Sequence, residues 1–215
     1  SDEKLQHWIR SACLLEATAQ KPGNVHPGKE FADLKFTDFV ESANTIAPIL
    51  ARTRHVGVGP TILKAITATR SAVGKNTNLG IVLLLAPLAS VPMKLRLAEG
   101  LFAILNELTT NDAQLVYEAI RVAMPGGMGE VSQQDVSQTP TQSLLEVMQL
   151  AAERDRVAAQ YANGFEQVLE VGVPFLASHA WTDSTWENSV IGLHLTLMSR
   201  FPDSLIARKR NLSEA

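Results

Sequence analysis

Three short polar clusters interrupt a largely apolar chain. Each falls where helical periodicity breaks, so backbone groups are free there and side chains can converge. The first is Lys21-Pro22-Gly23-Asn24-Val25-His26, with Asp33 downstream. Lys21 can meet a phosphate as a point charge, Asn24 and His26 can hydrogen-bond a sugar or a base, and Asp33 can bind magnesium or serve as a general base. The same run also reads as a proline and glycine helix stop with solvated neighbours. The second is Gly74-Lys75-Asn76-Thr77-Asn78-Leu79-Gly80, leading into a buried helix whose free N–H groups and dipole end favour an anion. It lacks the glycine spacing and the Lys-Ser/Thr ending of a Walker loop, and an N-cap by Asn76 or Thr77 is the plain alternative. Gly80 inside the helix hints at close approach of another backbone. The third is Pro202-Asp203-Ser204-Leu205-Ile206-Ala207-Arg208-Lys209. Asp203 falls in a first turn, where the helix dipole alone stabilises a carboxylate, yet an acid grouped with two bases is also what a magnesium-bound polyphosphate requires.

Other polar residues have plainer readings. Glu16 reads as part of a solvated face, with an i,i+5 pairing to Lys21 or a buried acid as the alternatives. Glu153-Arg154-Asp155-Arg156 reads as a charged face, although Asp155 could ligate a metal. His179 and Asp183 near Trp181 could shape a base pocket, and a structural role is the simpler reading; His194, among Leu193, Leu195 and Leu197, reads as a core or half-buried histidine. The chain has no His-Glu-x-x-His, Gly-x-Ser-x-Gly, Cys-x-x-Cys or Gly-x-Gly-x-x-Gly, which removes the usual zinc protease, hydrolase, redox and dinucleotide readings.

The elements that must position these clusters are helices, because apolar residues recur at helical spacing nearly everywhere and no run alternates strictly between turn residues. Leu5, Trp8, Ile9, Ala12 and Leu15 share one face of a first helix that runs to about residue 20, where Lys21-Pro22-Gly23 stops it. Thr37 as N-cap and Asp38 in the first turn open a second helix that continues through Leu50 past Pro48, and Pro60 opens a third to about Val73. The run 79–93 reads as a fully buried helix. Further helices are expected over about 93–108, from Asn111 and Asp112 as caps to Ala123, over 143–160, 165–177 and 185–200, and after Pro202. The polar stretch 130–142 after a glycine-rich break is the long loop most suited to be a lid. The expectation is an all-α fold, a single compact domain of about ten helices spanning residues 1–215.

Composition agrees and narrows the class. Of the 215 residues 46% are hydrophobic and 19% charged, enough contrast for a sizeable core, so a disordered chain is excluded. Only 6% are aromatic, so Leu, Ile, Val and Ala must fill that core, which favours helix-on-helix packing. A net charge of −3 supplies no global field for nucleic acid or an anionic bilayer, so any phosphate site must be a local cluster. The run 79–93 is shorter than the roughly 20 residues a bilayer needs and is broken by Pro87 and Pro92. Cys13 is the one cysteine, which excludes an intrachain disulfide and multi-cysteine metal sites; with no secretory signal at the N-terminus, the expected location is the cytoplasm. The glutamine-rich loop and the apolar surface could support a homodimer.

Taken together the clusters resemble the triphosphoribosyl-dephospho-CoA synthase family. The family's first motif is Pro-Lys-Pro-Gly-Leu-Val-Asp, then a His-x-Asp-Met segment and Phe-x-x-Ser; Lys21, Pro22, Gly23 and Val25 match, Asp33 falls on the aspartate, and Phe39 and Ser42 continue the pattern. The second, Gly-Val-Asn-Thr-His-Lys-Gly, is matched by Gly74, Asn76, Thr77 and Gly80. The third, an Asp-Thr/Ser segment followed by a basic residue, is matched by Asp203, Ser204 and Arg208. The departures are His26 in place of aspartate, Asn78 and Leu79 in place of histidine and lysine, and Phe31 where the segment's histidine would stand. The chain thus resembles a divergent, short branch, in which the acceptor can differ.

The resemblance implies a transferase that joins the ribose C1′ of ATP to the 2′-hydroxyl of 3′-dephospho-CoA or a related acceptor, with adenine leaving. Such a site must hold a triphosphate with magnesium, deprotonate the hydroxyl and let adenine depart. It makes Asp33 and Asp203 the candidates for general base or magnesium ligand, Lys21, Arg208 and Lys209 the candidates for the triphosphate, and Asn24, His26, Asn76 and Asn78 further substrate contacts. Two alternatives stay open: a related pentosyl or phosphoribosyl transfer to another acceptor in cofactor biosynthesis, and a non-catalytic nucleotide-binding helical protein.

Overall fold

Helical spacing of small and branched apolar residues becomes helix along almost the whole chain in the computed structural model, which describes residues 1–125, 134–179, 181, 182 and 184–201. Among these residues there are eleven α-helices and one π-helical stretch, with no strand and a single isolated bridge. α1 (Asp2–Thr18), α2 (Phe36–Leu50), α3 (Thr53–Val56), α4 (Val58–Val73) and α5 (Leu79–Ser90) make the first half. α6 (Leu97–Asn106), α7 (Thr110–Ala123), α8 (Leu144–Ala151), α9 (Arg156–Ala162), α10 (Val173–Ala177) and α11 (Trp186–Arg200) follow, with the π-helical turn Gln167–Gly172 before α10.

α4 is the central helix, packed along α2 on one side and α7 on the other, while α1 lies along α2. Two glycines permit the tightest approaches. A Cβ on Gly59 would stand 2.7 Å from the Asp112 Cα on α7, and one on Gly100 would meet Val91. The shared core contains Ile46, Leu50, Ile62, Val82, Val116 and Leu144, all fully buried. α5 has no exposed residue, in keeping with its apolar sequence; the expected break at Pro87 does not occur, since the helix runs through it and ends at Ser90, ahead of Pro92, and Met93 is exposed.

Several boundaries differ from expectation for identifiable reasons. α2 is capped at Lys35 rather than Thr37, because the Asp38 carboxylate reaches back to the Lys35 N–H at 2.9 Å. α7 is capped by Thr109, which exchanges hydrogen bonds with Asp112, rather than by Asn111. The expected helix 143–160 is two helices, since Asp155 turns its carboxylate onto the N–H groups of Val157 (2.8 Å) and Ala158 (3.0 Å) and restarts the chain as α9. That carboxylate is therefore a cap, not an open metal ligand. On α1 the buried stripe is Ile9, Cys13 and Ala17, while Trp8 and Ala12 are exposed. Of the expected lid, residues 126–133 lie outside the described residues. Gln134 and Val136 are held to α7 through their carbonyls, by the Tyr117 hydroxyl at 2.6 Å and Arg121 Nη1 at 2.7 Å.

Candidate active site

The first polar cluster folds back under the helix it terminates. Ala19 leaves α1 in extended backbone (φ −61°, ψ 130°), the Lys21 N–H donates to the Ala19 carbonyl at 2.7 Å, and Gly23 adopts φ +82°, which disfavours any side chain. This turn carries Lys21 beneath the last turn of α1, where it is only 5% exposed. Its Nζ lies 2.6 Å from Glu16 Oε1 and also donates to the Glu16 backbone carbonyl. A cation in that place offsets the negative end of the helix dipole and satisfies a last-turn carbonyl. Asn24 Nδ2 donates to the same Glu16 oxygen at 3.3 Å. Glu16 Oε2 accepts no hydrogen bond among the described residues, and its side chain is 41% exposed.

Two expectations are thereby corrected. Glu16 is not a solvated face but the i,i+5 partner of Lys21. Lys21 in turn is a buried, paired cation rather than an open charge for phosphate, because burying an ammonium without a counter-charge is strongly unfavourable.

The second cluster docks on the start of α2. α4 ends at Gly74 with φ +74°, its carbonyl held by Arg70 Nη1 at 2.6 Å, and the turn brings Lys75 Nζ to 2.7 Å from Asp38 Oδ2. The Lys75 hydrogen bond, the largest influence there, holds the Asp38 carboxyl below its usual range against the opposing effect of burial. One turn along α2, the Ser42 hydroxyl donates to the Asp38 carbonyl at 2.6 Å and shares a hydrogen bond with the Thr77 hydroxyl. Asn76 Oδ1 accepts from the Leu79 N–H at 3.2 Å, so its oxygen serves the start of α5. Asn78 is buried: Nδ2 donates to Thr69 Oγ1 at 3.0 Å, and Oδ1 has no donor among the described residues. Leu79 packs against the core. The close neighbour of Gly80 is a side chain, Val157 Cγ2 at 3.6 Å from a built Cβ, and not another backbone.

The remaining candidates are placed apart. His26 pairs with Lys29 through two backbone hydrogen bonds of 3.0 and 2.9 Å, and its Nδ1 accepts from the Gly28 N–H at 3.2 Å, so the ring supports its own turn. Asp33 is exposed on the loop before α2. His179 stacks on Phe175 at 4.3 Å between ring centroids, a structural contact, and His194 is half-buried. Asp183, Asp203, Arg208 and Lys209 lie outside the described residues. Among the described residues no group of three or more His, Cys, Asp or Glu could hold a metal ion.

Two adjoining spaces give the clusters a common wall. A cleft of about 200 Å³ is lined by Glu16, Asn24, Phe31, Leu34 and Phe39, among others. On the other side of Glu16 and Phe39, a space of about 10 Å³ is lined by Cys13, Ser42, Thr77 and Asn78. The N-terminal turn of α11 closes on the same corner, where Glu187 Oε1 accepts from the Gln20 N–H at 3.0 Å. Sequence reasoning did not single out Glu16 or Asp38 for the site. The signal for Glu16 was its place three residues after Cys13 on the buried side of α1.

Residues 2–215 match the family model for ATP:dephospho-CoA triphosphoribosyl transferase. The chain belongs to that family. It is a transferase acting on ATP and dephospho-CoA, as the motifs implied. A crystal structure from Archaeoglobus fulgidus, of a protein described as a triphosphoribosyl-dephospho-CoA synthase, shares the fold. The TM-score is 0.61 at 24% identity, over 80% of this chain and 75% of that one. No curated protein matches at a significant level. No helix among the described residues is long and apolar enough to cross a membrane.

Within this transferase Cys13 makes a simple reporter of the site's packing. Burial first, and then the Glu16 carboxylate, push its thiol up to about 12. In the native protein at pH 8, Cys13 should resist a thiol reagent and react in stoichiometric amount only on unfolding. Fast labelling of folded protein would show that α1 does not stay seated against α2.

Proposed function

We propose that triphosphoribosyl transfer takes place at the corner where the end of α1, the loop 21–35 and the start of α2 surround the 200 Å³ cleft. The observation that carries this is convergence. Glu16, Asn24 and Phe31 line the cleft, and the Ser42, Thr77 and Asn78 side chains line the small space that shares Glu16 and Phe39 with it. The cleft is smaller than the roughly 300–1,000 Å³ of whole-ligand pockets, so it suits one sugar or base, with the triphosphate extending outside. Asn24, held to Glu16, can turn its free amide oxygen to a sugar hydroxyl or a base edge. Asp33, exposed at the loop edge, is free to approach the triphosphate with magnesium.

Magnesium enters this reading as part of the ATP substrate. The described residues form no carboxylate cage, and magnesium needs only one or two protein carboxylates beside substrate phosphates and water. Asp203, Arg208 and Lys209 stay proposed contacts for the triphosphate. A cytoplasmic location supplies ATP and suits a chain with one cysteine.

The reading is tested by mass-spectrometric detection of adenine from magnesium and ATP, with 3′-dephospho-CoA as acceptor and a metabolite extract in parallel. Release with dephospho-CoA is expected. Release only with the extract would keep the transfer and assign another acceptor, a reading that the inward-turned Asn78 and core-packed Leu79 favour where the family motif has histidine and lysine. No release with either would remove the activity.

A further inference from the structure

We infer that Glu16 is the general base that takes the proton from the attacking hydroxyl, in place of the aspartates to which the motif resemblance assigns that role. The inference rests on the proposed transfer at this corner. Its starting point is an asymmetry in the carboxylate. Oε1 is held by Lys21 at 2.6 Å and by Asn24 at 3.3 Å, whereas Oε2 accepts nothing among the described residues. Glu16 lines both the cleft and the small space behind it, so the group stands on the boundary a substrate would reach.

A proton acceptor needs a fixed position and a free lone pair. The rigid last turn of α1 and the buried Lys21 supply the first, and Oε2 is the second. Asp33 has neither support, for it is exposed on a loop. Asp38 has the same asymmetry, with Oδ2 bound to both Lys75 and the Lys35 N–H, but it lines neither the cleft nor the small space behind it.

The step balances without a further reagent. As the acceptor oxygen forms its bond to C1′, its proton passes to Glu16 Oε2. The C1′–N9 bond breaks with its electron pair going to adenine N9, adenine leaves after gaining one proton, and Glu16 returns its proton to water. One hydroxyl proton is lost and one adenine proton is gained.

Glu16→Gln keeps an oxygen that Lys21 and Asn24 can donate to, but it has no basic oxygen. The expected result is a fall in adenine release of about 100-fold or more with the KM for ATP within about threefold of wild type; because the buried Lys21 loses its counter-charge, the melting temperature should fall while the protein stays folded at the assay temperature. Glu16→Ala, with magnesium-ATP binding confirmed by thermal stabilisation, should regain at least about tenfold in rate when formate is added, since formate can enter the emptied position beside the cleft. Among formate, acetate and other small carboxylates the rescued rate should rise with the basicity of the added carboxylate, which restoring a counter-charge to Lys21 would not by itself produce. Glu16→Gln within about tenfold of wild type, or no formate response from Glu16→Ala that still binds ATP, would overturn the assignment. Absence of release from the wild type itself would remove the proposed transfer, and with it this role.

Discussion

Lys21→Met should lower kcat about 100-fold while leaving the KM for ATP within about threefold. The direction follows from what Lys21 touches. Its ammonium is 5% exposed and donates to the side chain and the backbone carbonyl of Glu16. Its substitution therefore releases the carboxylate that borders the cleft and leaves Asn24 as the one remaining hold on Glu16 Oε1. A misplacement of about 1 Å at a reacting group is enough for a loss of this size. Lys21 is in this view a positioning residue. The phosphate contact expected from sequence makes the opposite prediction, a KM for ATP raised ten- to a hundredfold with kcat nearly kept. Steady-state kinetics with ATP varied separates the two. The stability change should be modest, about 1 kcal/mol, because Glu16 is 41% exposed and regains water when its partner is lost, and methionine fills most of the lysine stem's volume. Arginine should not restore the rate, since its planar fork does not fit a slot built for a point charge between a carboxylate and a carbonyl.

The contrast between Lys21 as read and Lys21 as found shows where legibility ends. Apolar periodicity carries the helical class, and α5 is visible as an apolar run between a polar turn and Pro92, although its passage through Pro87 is not. The four-residue α3 is too short to show a period, and the gap between α8 and α9 is hidden because Asp155 sits inside a run whose apolar spacing continues on both sides. The polar residues of the site were visible singly, since each interrupts an apolar chain at a helix end. Their partners were not. Whether Lys21 meets Glu16 or solvent depends on the backbone at Ala19, which turns the chain back instead of extending the helix. An i,i+5 pair is not a helical neighbour, so helical spacing gives no hint of it. Lys75 and Asp38 lie 37 residues apart and meet only because α4 and α2 pack side by side. Asn78 turns inward because Thr69 stands opposite, one turn before α4 ends, and neither sequence neighbour announces that hydrogen bond.

The largest stability effect is expected at Phe165, remote from the polar corner. Phe165 is fully buried and its ring centroid is 5.5 Å from that of Tyr161, whose hydroxyl donates to the Leu83 carbonyl of α5 at 2.6 Å. Truncation to alanine should cost about 3–5 kcal/mol, from lost transfer free energy and the cavity left beside the Tyr161 ring. The backbone adds a sharper test. Phe165 has φ +65° directly after Gly164 at +71°, two successive left-handed residues that end α9 and let the Phe165 N–H donate to the Gln160 carbonyl at 2.7 Å. That conformation disfavours any side chain by roughly 1 kcal/mol relative to glycine. Alanine keeps this penalty after the ring is gone, whereas glycine removes it along with the ring. Phe165→Gly should therefore be as stable as Phe165→Ala or up to about 1 kcal/mol more stable, against the usual order in which glycine is the worse replacement. Denaturant unfolding of both variants reads the difference directly. If glycine is clearly the less stable, the positive φ at 165 does not hold in solution, and the turn that directs the chain from α9 into the π-helical stretch is made another way.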